Sequence, residues 1–337
     1  MLSLFWVLLS MGGIILACEA FTNAIEWFGK KLNLSEGAVG SVLAAVGTAL
    51  PETIIPIIAI AGAWFAKDAG GTHAGTDIGI GAIVGAPFML GTLALFITGA
   101  AIVVFTRQGR RDEKVLADTK VMKRDLRFFL MTYPAIILAS FIPSHAVKVA
   151  LGFVLLGLYG YYVYKTLQEP GELGDNIAPL YFYRKGEPKL GVVVAQIIFS
   201  LLGIMIGAHF FVHEIGHLAH AFNISPLILS LVVTPIATEL PEKFNSVMWV
   251  RVKKDTLALG NITGAMVFQS CIPVAVGLWL TPWELGRDSL FSAAIAVIAA
   301  AVLYWEVSRK KGITAFSLML GGLFYAAFLI GVFVFKI

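Results

Sequence analysis

Gly47-Thr48-Ala49-Leu50-Pro51-Glu52 interrupts a long apolar run with a hydroxyl, a proline and a carboxylate, and the design returns 190 residues later as Ala237-Thr238-Glu239-Leu240-Pro241-Glu242. A proline inside a helix removes one backbone hydrogen bond and displaces the carbonyl four residues earlier. Those carbonyls belong to Gly47 and Ala237, each next to a threonine. A carboxylate at membrane depth costs roughly 2.5–3.5 kcal/mol on insertion scales, so it is a functional candidate by default. Thr48 and Glu52, like Thr238 and Glu242, stand at i,i+4 on one helix face. Each hexapeptide thus offers only oxygen: hydroxyl, freed carbonyl and carboxylate. Such a set suits a hard cation such as calcium or sodium.

Working outward, the 337 residues are 58% hydrophobic and 14% charged. A soluble domain carries about 25% charged residues, so the composition implies an all-α polytopic membrane protein whose medium is the lipid bilayer. Cys18 and Cys271, the two cysteines, make neither a disulfide framework nor a zinc cluster. The chain begins apolar without the basic stretch of a signal peptide, so its first apolar run is read as a span. No nucleotide motif is present and no cofactor or nucleic-acid partner is expected, which leaves ion gradients as the driving force.

Charged and Gly/Pro punctuation divides the chain into ten expected spans, at about 3–28, 36–66, 77–106, 127–143, 146–167, 190–222, 226–250, 256–281, 289–308 and 312–335. Twenty of the 25 basic residues fall in the loops after the odd-numbered spans, while Lys67, Lys148, Arg287 and Lys336 fall on the opposite side. By the positive-inside rule the twenty are cytoplasmic and both termini lie outside. The expected setting is a prokaryotic inner membrane. The basic loop 107–126 reads as a membrane-surface segment.

Residues 12–52 match 202–242 without a gap, and Gly81-Ala82-Ile83-Val84-Gly85-Ala86 answers Gly260-Asn261-Ile262-Thr263-Gly264-Ala265. The chain therefore reads as two five-helix repeats, 1–167 and 190–337, joined by a cytoplasmic linker at 168–189. Five is odd, so the repeats are inverted. Inverted repeats with broken helices at equivalent positions imply a secondary transporter with its site at the midplane. Glycines four apart are expected to let the third and eighth helices pack closely.

Together these residues resemble the calcium/cation antiporter superfamily, the sodium/calcium exchangers and their proton-coupled relatives. The resemblance covers nearly the whole chain and rests on the paired Gly-Thr-Ser-Leu-Pro-Glu-type motifs in register within a repeat. It implies exchange of Ca2+, or a related divalent cation, for Na+ or H+. It further implies Glu52 and Glu242 as calcium ligands, and Thr48 and Thr238 with the carbonyls of Ala45 and Pro235 at sodium positions. The motif serine is replaced here by Ala49 and by Glu239. Where the family has Gly-Ser-Asn with a polar residue three further on, this chain has Gly85-Ala86-Pro87 with Leu90, and Gly264-Ala265-Met266 with Gln269. Glu239 and Gln269 are therefore added to the cation-binding candidates. Both counter-ions stay open, since a desolvated glutamate can carry protons near neutral pH.

Glu239 and Lys243, at i,i+4, either form an intramembrane ion pair or leave Lys243 to snorkel to the interface. His213-Glu214-Ile215-Gly216-His217 matches the HExxH signature, in which two histidines one turn apart share a zinc ion. It opens the alternative of an intramembrane zinc protease. A third ligand is needed, and in the repeat His209, His213 and His217 stand opposite Glu19, Asn23 and Trp27. That histidine stripe is thus an extra metal or pH site, or a helix-packing face. A cation sensor that does not transport is the remaining alternative.

Overall fold

The computed structural model describes residues 2–49, 53, 56–57, 60, 74–171, 173, 177–221, 240–309 and 312–334. All described regular structure is helical apart from an isolated bridge between Leu180 and Tyr183. Helix α1 covers Leu2–Lys31 and α2 covers Glu36–Ala49, passing through a π-turn at Val39–Ala44. Helix α3 runs Ala74–Met89, a π-turn at Leu90–Ala94, then Leu95–Arg107. The helices that follow are α4 (Thr119–Ala139), α5 (His145–Leu167) and α6 (Leu190–Ala221). The last four are α7 (Leu240–Arg251), α8 (Asp255–Leu280), α9 (Arg287–Ser308) and α10 (Ala315–Val334).

Local chemistry sets several of these ends. Asn33 takes a left-handed φ of 52° to turn the chain, and Ser35 then caps α2 by accepting from the Ala38 amide. Asp118 caps α4 the same way, from the Lys120 amide. Among the described residues, seven helices are long and apolar enough to cross a membrane: α1, α3, α5, α6, α8, α9 and α10. Helix α4 falls short because its first turns hold Lys120, Lys123, Arg124, Asp125 and Arg127. The expected second and seventh spans, 36–66 and 226–250, lie partly outside the described residues.

Helix α8 is the axis. It is apolar on all sides and buried on nearly all of them, as a helix enclosed by others must be. It packs against α2, α3, α4, α5 and α7, while α1 and α6 lie along one another beside this core. Segment 178–183 is docked onto that pair. The Ala178 carbonyl accepts from Asn23 Nδ2 (3.0 Å) and Trp27 Nε1 (2.9 Å), and Gln196 on α6 accepts from the Phe182 amide. The pair is tied to the turn after α7 through Glu26, which is buried and accepts from Trp249 Nε1 at 2.8 Å and from Lys254 Nζ.

The loop before α4 differs from the membrane-surface segment expected of it. Arg111 is buried, and its guanidinium meets Asp255 in a two-pronged ion pair at 2.7 and 2.8 Å. Its Nη1 also donates to the Val250 carbonyl, and the Leu116 amide donates to Asp255. Residues 107–118 therefore pin the α7–α8 turn through Arg111 and the Leu116 amide. At the exposed edge Lys253 pairs with Asp112 at 2.9 Å and holds that carboxyl below the ordinary aspartate range. Residues 119–126, expected to be loop, form the first turns of α4.

Among the described residues, the expected close glycine contacts are seen in the second half. A Cβ on Gly264 would run into the Ser41 carbonyl, and one on Gly260 would lie 3.0 Å from Ser41 Oγ. Gly81 and Gly85 meet no described atom within 4 Å. Helix α2 crosses α8 at this glycine seam, which is why it must be glycine there. Gly264→Ala should therefore lower stability by about 1–3 kcal/mol through overpacking. Thermal unfolding in detergent measures the loss, and an unchanged melting temperature would contradict the close approach.

Candidate cation site

The described stretch of α2 ends within the first motif, at Gly47, Thr48 and Ala49. Ala45, Thr48 and Ala49 are buried, and Gly47 stands against α1, where an added Cβ would lie 2.7 Å from the Phe21 ring. The Thr48 hydroxyl donates to the Ala44 carbonyl at 3.0 Å and lies 3.5 Å from the Ala45 carbonyl. On its other side Asn261 of α8 brings Oδ1 to 3.3 Å. The first motif is thus packed directly against the central helix. Thr53 closes the described part, its hydroxyl donating to the Ala49 carbonyl.

The described part of α7 opens within the second motif, at Leu240 and Pro241. Ser246 donates to the Ala258 carbonyl at 3.1 Å and fixes the register of antiparallel α7 and α8. Position 242 is then level with 262, one residue from Asn261. Lys243 is buried at 2% exposure. That corrects the snorkelling alternative, because its stem and ammonium are enclosed by neighbouring helices. Its expected partner Glu239 lies outside the described residues, as do Glu52, Thr238 and Pro235 and the side chain of Glu242. Gln269 is buried two turns further along α8, beside Ser270, whose hydroxyl lies 2.9 Å from that of Thr132.

Sequence reasoning passed over three buried polar residues, Asp125, Asn245 and Asn261. Asp125 is fully buried and receives Ser41 Oγ at 2.6 Å, Tyr162 OH at 3.0 Å and Arg124 Nε at 3.0 Å, with Thr263 Oγ1 at 2.8 Å. One carboxylate thereby joins α2, α4, α5 and α8 and holds the π-turn below the motif. Its sequence signal was weak, a lone acid among bases at a helix end. Asn245 and Asn261 are fully buried as well. Among the described residues, both amide atoms of Asn245 and Nδ2 of Asn261 have no hydrogen-bond partner. Orphaned polar atoms in a dry interior are costly and point to water or an ion.

The histidine stripe is only partly described. His209 is exposed and sits edge-to-face with Phe210, and the side chains of His213 and His217 lie outside the described residues. Among the described residues, no three His, Cys, Asp or Glu side chains gather as metal ligands would. Asn23 and Trp27, the repeat counterparts of His213 and His217, hold the Ala178 carbonyl.

Comparison with known proteins matches this arrangement. The chain is 23% identical over 318 residues to a putative antiporter, CaxA, of Alkalimonas amylolytica, covering 90% of this chain and 91% of the relative. It is 24% identical over 298 residues to the inner membrane protein YrbG of Escherichia coli strain K12, covering 84% and 83%. The fold superposes on the sodium-calcium exchanger NCX_Mj soaked with 2.5 mM Na+ and 0.1 mM Ca2+, with a TM-score of 0.74, 21% identity and 98% of both chains covered. The family model for the sodium/calcium exchanger protein matches residues 2–167 and 192–335. The chain is a membrane-spanning member of the sodium/calcium exchanger family.

Proposed function

We propose that this member is a secondary antiporter exchanging Ca2+, or a related divalent cation, for Na+ or H+ at a midplane site. The ligands in this reading are Glu52, Glu242, Thr48, Thr238, Glu239 and Gln269 with the Ala45 and Pro235 carbonyls, Lys243 being the charge partner of Glu239. Ten spans in two inverted five-helix halves, 1–167 and 190–337, place the two motifs face to face, with both termini outside. The observation that carries the reading is the contact of the first motif with α8, where Thr48 meets Asn261 inside a fully buried seam. Relatives named as an antiporter and as the sodium/calcium exchanger MaX1 of Methanosarcina acetivorans support transport over catalysis. The zinc-protease reading of the HEIGH stretch draws no support from them.

Mechanistically, the paired carboxylates offset the two charges of a dehydrated divalent ion, or hold counter-ions, one set at a time. Alternating access follows when the α1/α6 pair shifts against the core that α8 organises. The test is calcium-45 uptake into proteoliposomes under an outward sodium gradient, then under an outward proton gradient. Uptake driven by one of the two is expected. Uptake under neither, with calcium binding retained, would favour a sensor. Cysteines at Lys120 and Arg184 should react only from the cytoplasm, and one at Arg287 only from outside.

A further inference from the structure

The turn from α4 to α5 meets the turn from α8 to α9 around a cavity of about 670 Å3. It lies far from both motifs, since Trp279 on its wall stands about 27 Å along α8 from Asn261 at 1.5 Å per residue. Lys148 lines this cavity and is only 4% exposed. Its ammonium donates to the Pro282 and Trp283 carbonyls, both neutral. Two acceptors serve three N–H groups, and among the described residues no carboxylate pairs with the charge. A buried cation without a counter-charge is costly, so the cavity favours an anion. The start of α5 points the same way. Its N-cap Ser144 makes no side-chain bond to the first-turn amides, which leaves the positive end of a 23-residue helix open beside Lys148.

Glu284 lines the same cavity and is exposed, adding one negative charge. A bare anion would be repelled by it, whereas a ligand carrying both an anion and an ammonium suits both walls. Apolar surface continues from the cavity towards lipid. Phe141 on its wall is 67% exposed, and Phe153, also exposed, packs on the Trp279 ring at 4.9 Å. The cavity also sits where the membrane-length helices α5 and α8 end, the level of headgroups. We propose that it binds the headgroup of an aminophospholipid, a phosphodiester joined to a primary amine as in phosphatidylethanolamine. The phosphate goes to Lys148 and the α5 N-terminus, the ammonium to Glu284, and an acyl chain follows Phe141 and Phe153. A lipid held there braces the far end of α8 against the α4–α5 turn. The proposed topology puts this end outside, but the site itself does not rest on the antiport.

The test titrates delipidated protein in detergent with phosphatidylethanolamine, phosphatidylcholine or phosphatidylglycerol of one chain composition, counting bound lipid by native mass spectrometry. The wild type should hold phosphatidylethanolamine about threefold more tightly than the other two, the size of a part-exposed ion pair. Phosphatidylglycerol has no ammonium, and the trimethylammonium of phosphatidylcholine has no N–H to donate. Glu284→Gln, at an exposed position, should erase that preference. Lys148→Met should weaken all three lipids about tenfold, the loss of one hydrogen bond to a charged group. Glycerophosphoethanolamine, the same headgroup without chains, should compete poorly; competition at equal concentration would replace the lipid with a soluble zwitterion and overturn the proposal. So would a wild type without selectivity, a selectivity that survives Glu284→Gln, or unchanged binding in a folded Lys148→Met. The Glu284→Gln comparison decides even where Lys148→Met does not fold.

Discussion

Glu52→Gln and Glu242→Gln should each lower calcium affinity at least ~100-fold, about 2.7 kcal/mol at 1.36 kcal/mol per decade. The amide preserves size and most hydrogen bonding but removes one of two formal charges that replace the hydration of a divalent ion. The loss should be similar for both because the repeat gives them equivalent places. Glu239→Gln should cost less, since the first half fills that position with Ala49. Half-saturation of calcium-45 flux in proteoliposomes measures all three. Undiminished flux in either single variant would overturn the placing of the site.

Breaking the Arg111–Asp255 pair should cost about 3–5 kcal/mol, the penalty of leaving one buried charge without its partner. Both groups are almost completely enclosed, and the pair also holds the Val250 carbonyl and the Leu116 amide. Arg111→Met or Asp255→Asn alone should thus lower the melting temperature strongly. Arg111→Met with Asp255→Leu should recover much of the loss, since an apolar pair leaves no stranded charge. Additive losses in the double variant would mean that the two residues act separately, through their backbone contacts.

The parts of this architecture legible in the sequence are those written in period and punctuation. Apolar runs and charged gaps marked the helices. The second span was expected to begin at about 36, and α2 begins there, at Glu36, behind a Ser35 cap. The motif threonine Thr48 is buried as its pattern required. Pairing at long range was not legible. Counting Lys and Arg by side of the membrane assigned Arg111 to a solvated loop, yet its carboxylate partner lies 144 residues away. Asp125 was hidden for the same reason: a charge near a helix end looks solvated until four helices are seen to converge on it. Glycine spacing gave the same prediction for both halves, and among the described residues Gly260 and Gly264 meet Ser41 of the facing helix. Neither π-turn has a sequence signal. The one in α2 lies at the glycine seam with α8 and the one in α3 lies against α10, where a Cβ on Gly321 would strike the Thr92 carbonyl. Both are products of tertiary contact and not of local propensity.

The central claim is that two ion fluxes are coupled through one site, and reversal measures it most directly. Proteoliposomes loaded with calcium and diluted into calcium-free medium hold an outward calcium gradient, with sodium and pH equal on both sides. The account predicts uphill entry of sodium-22, or of protons read by an internal dye, at a rate that rises with internal calcium and vanishes in Glu242→Gln. Calcium that runs down its gradient while sodium and protons stay at equilibrium would contradict it.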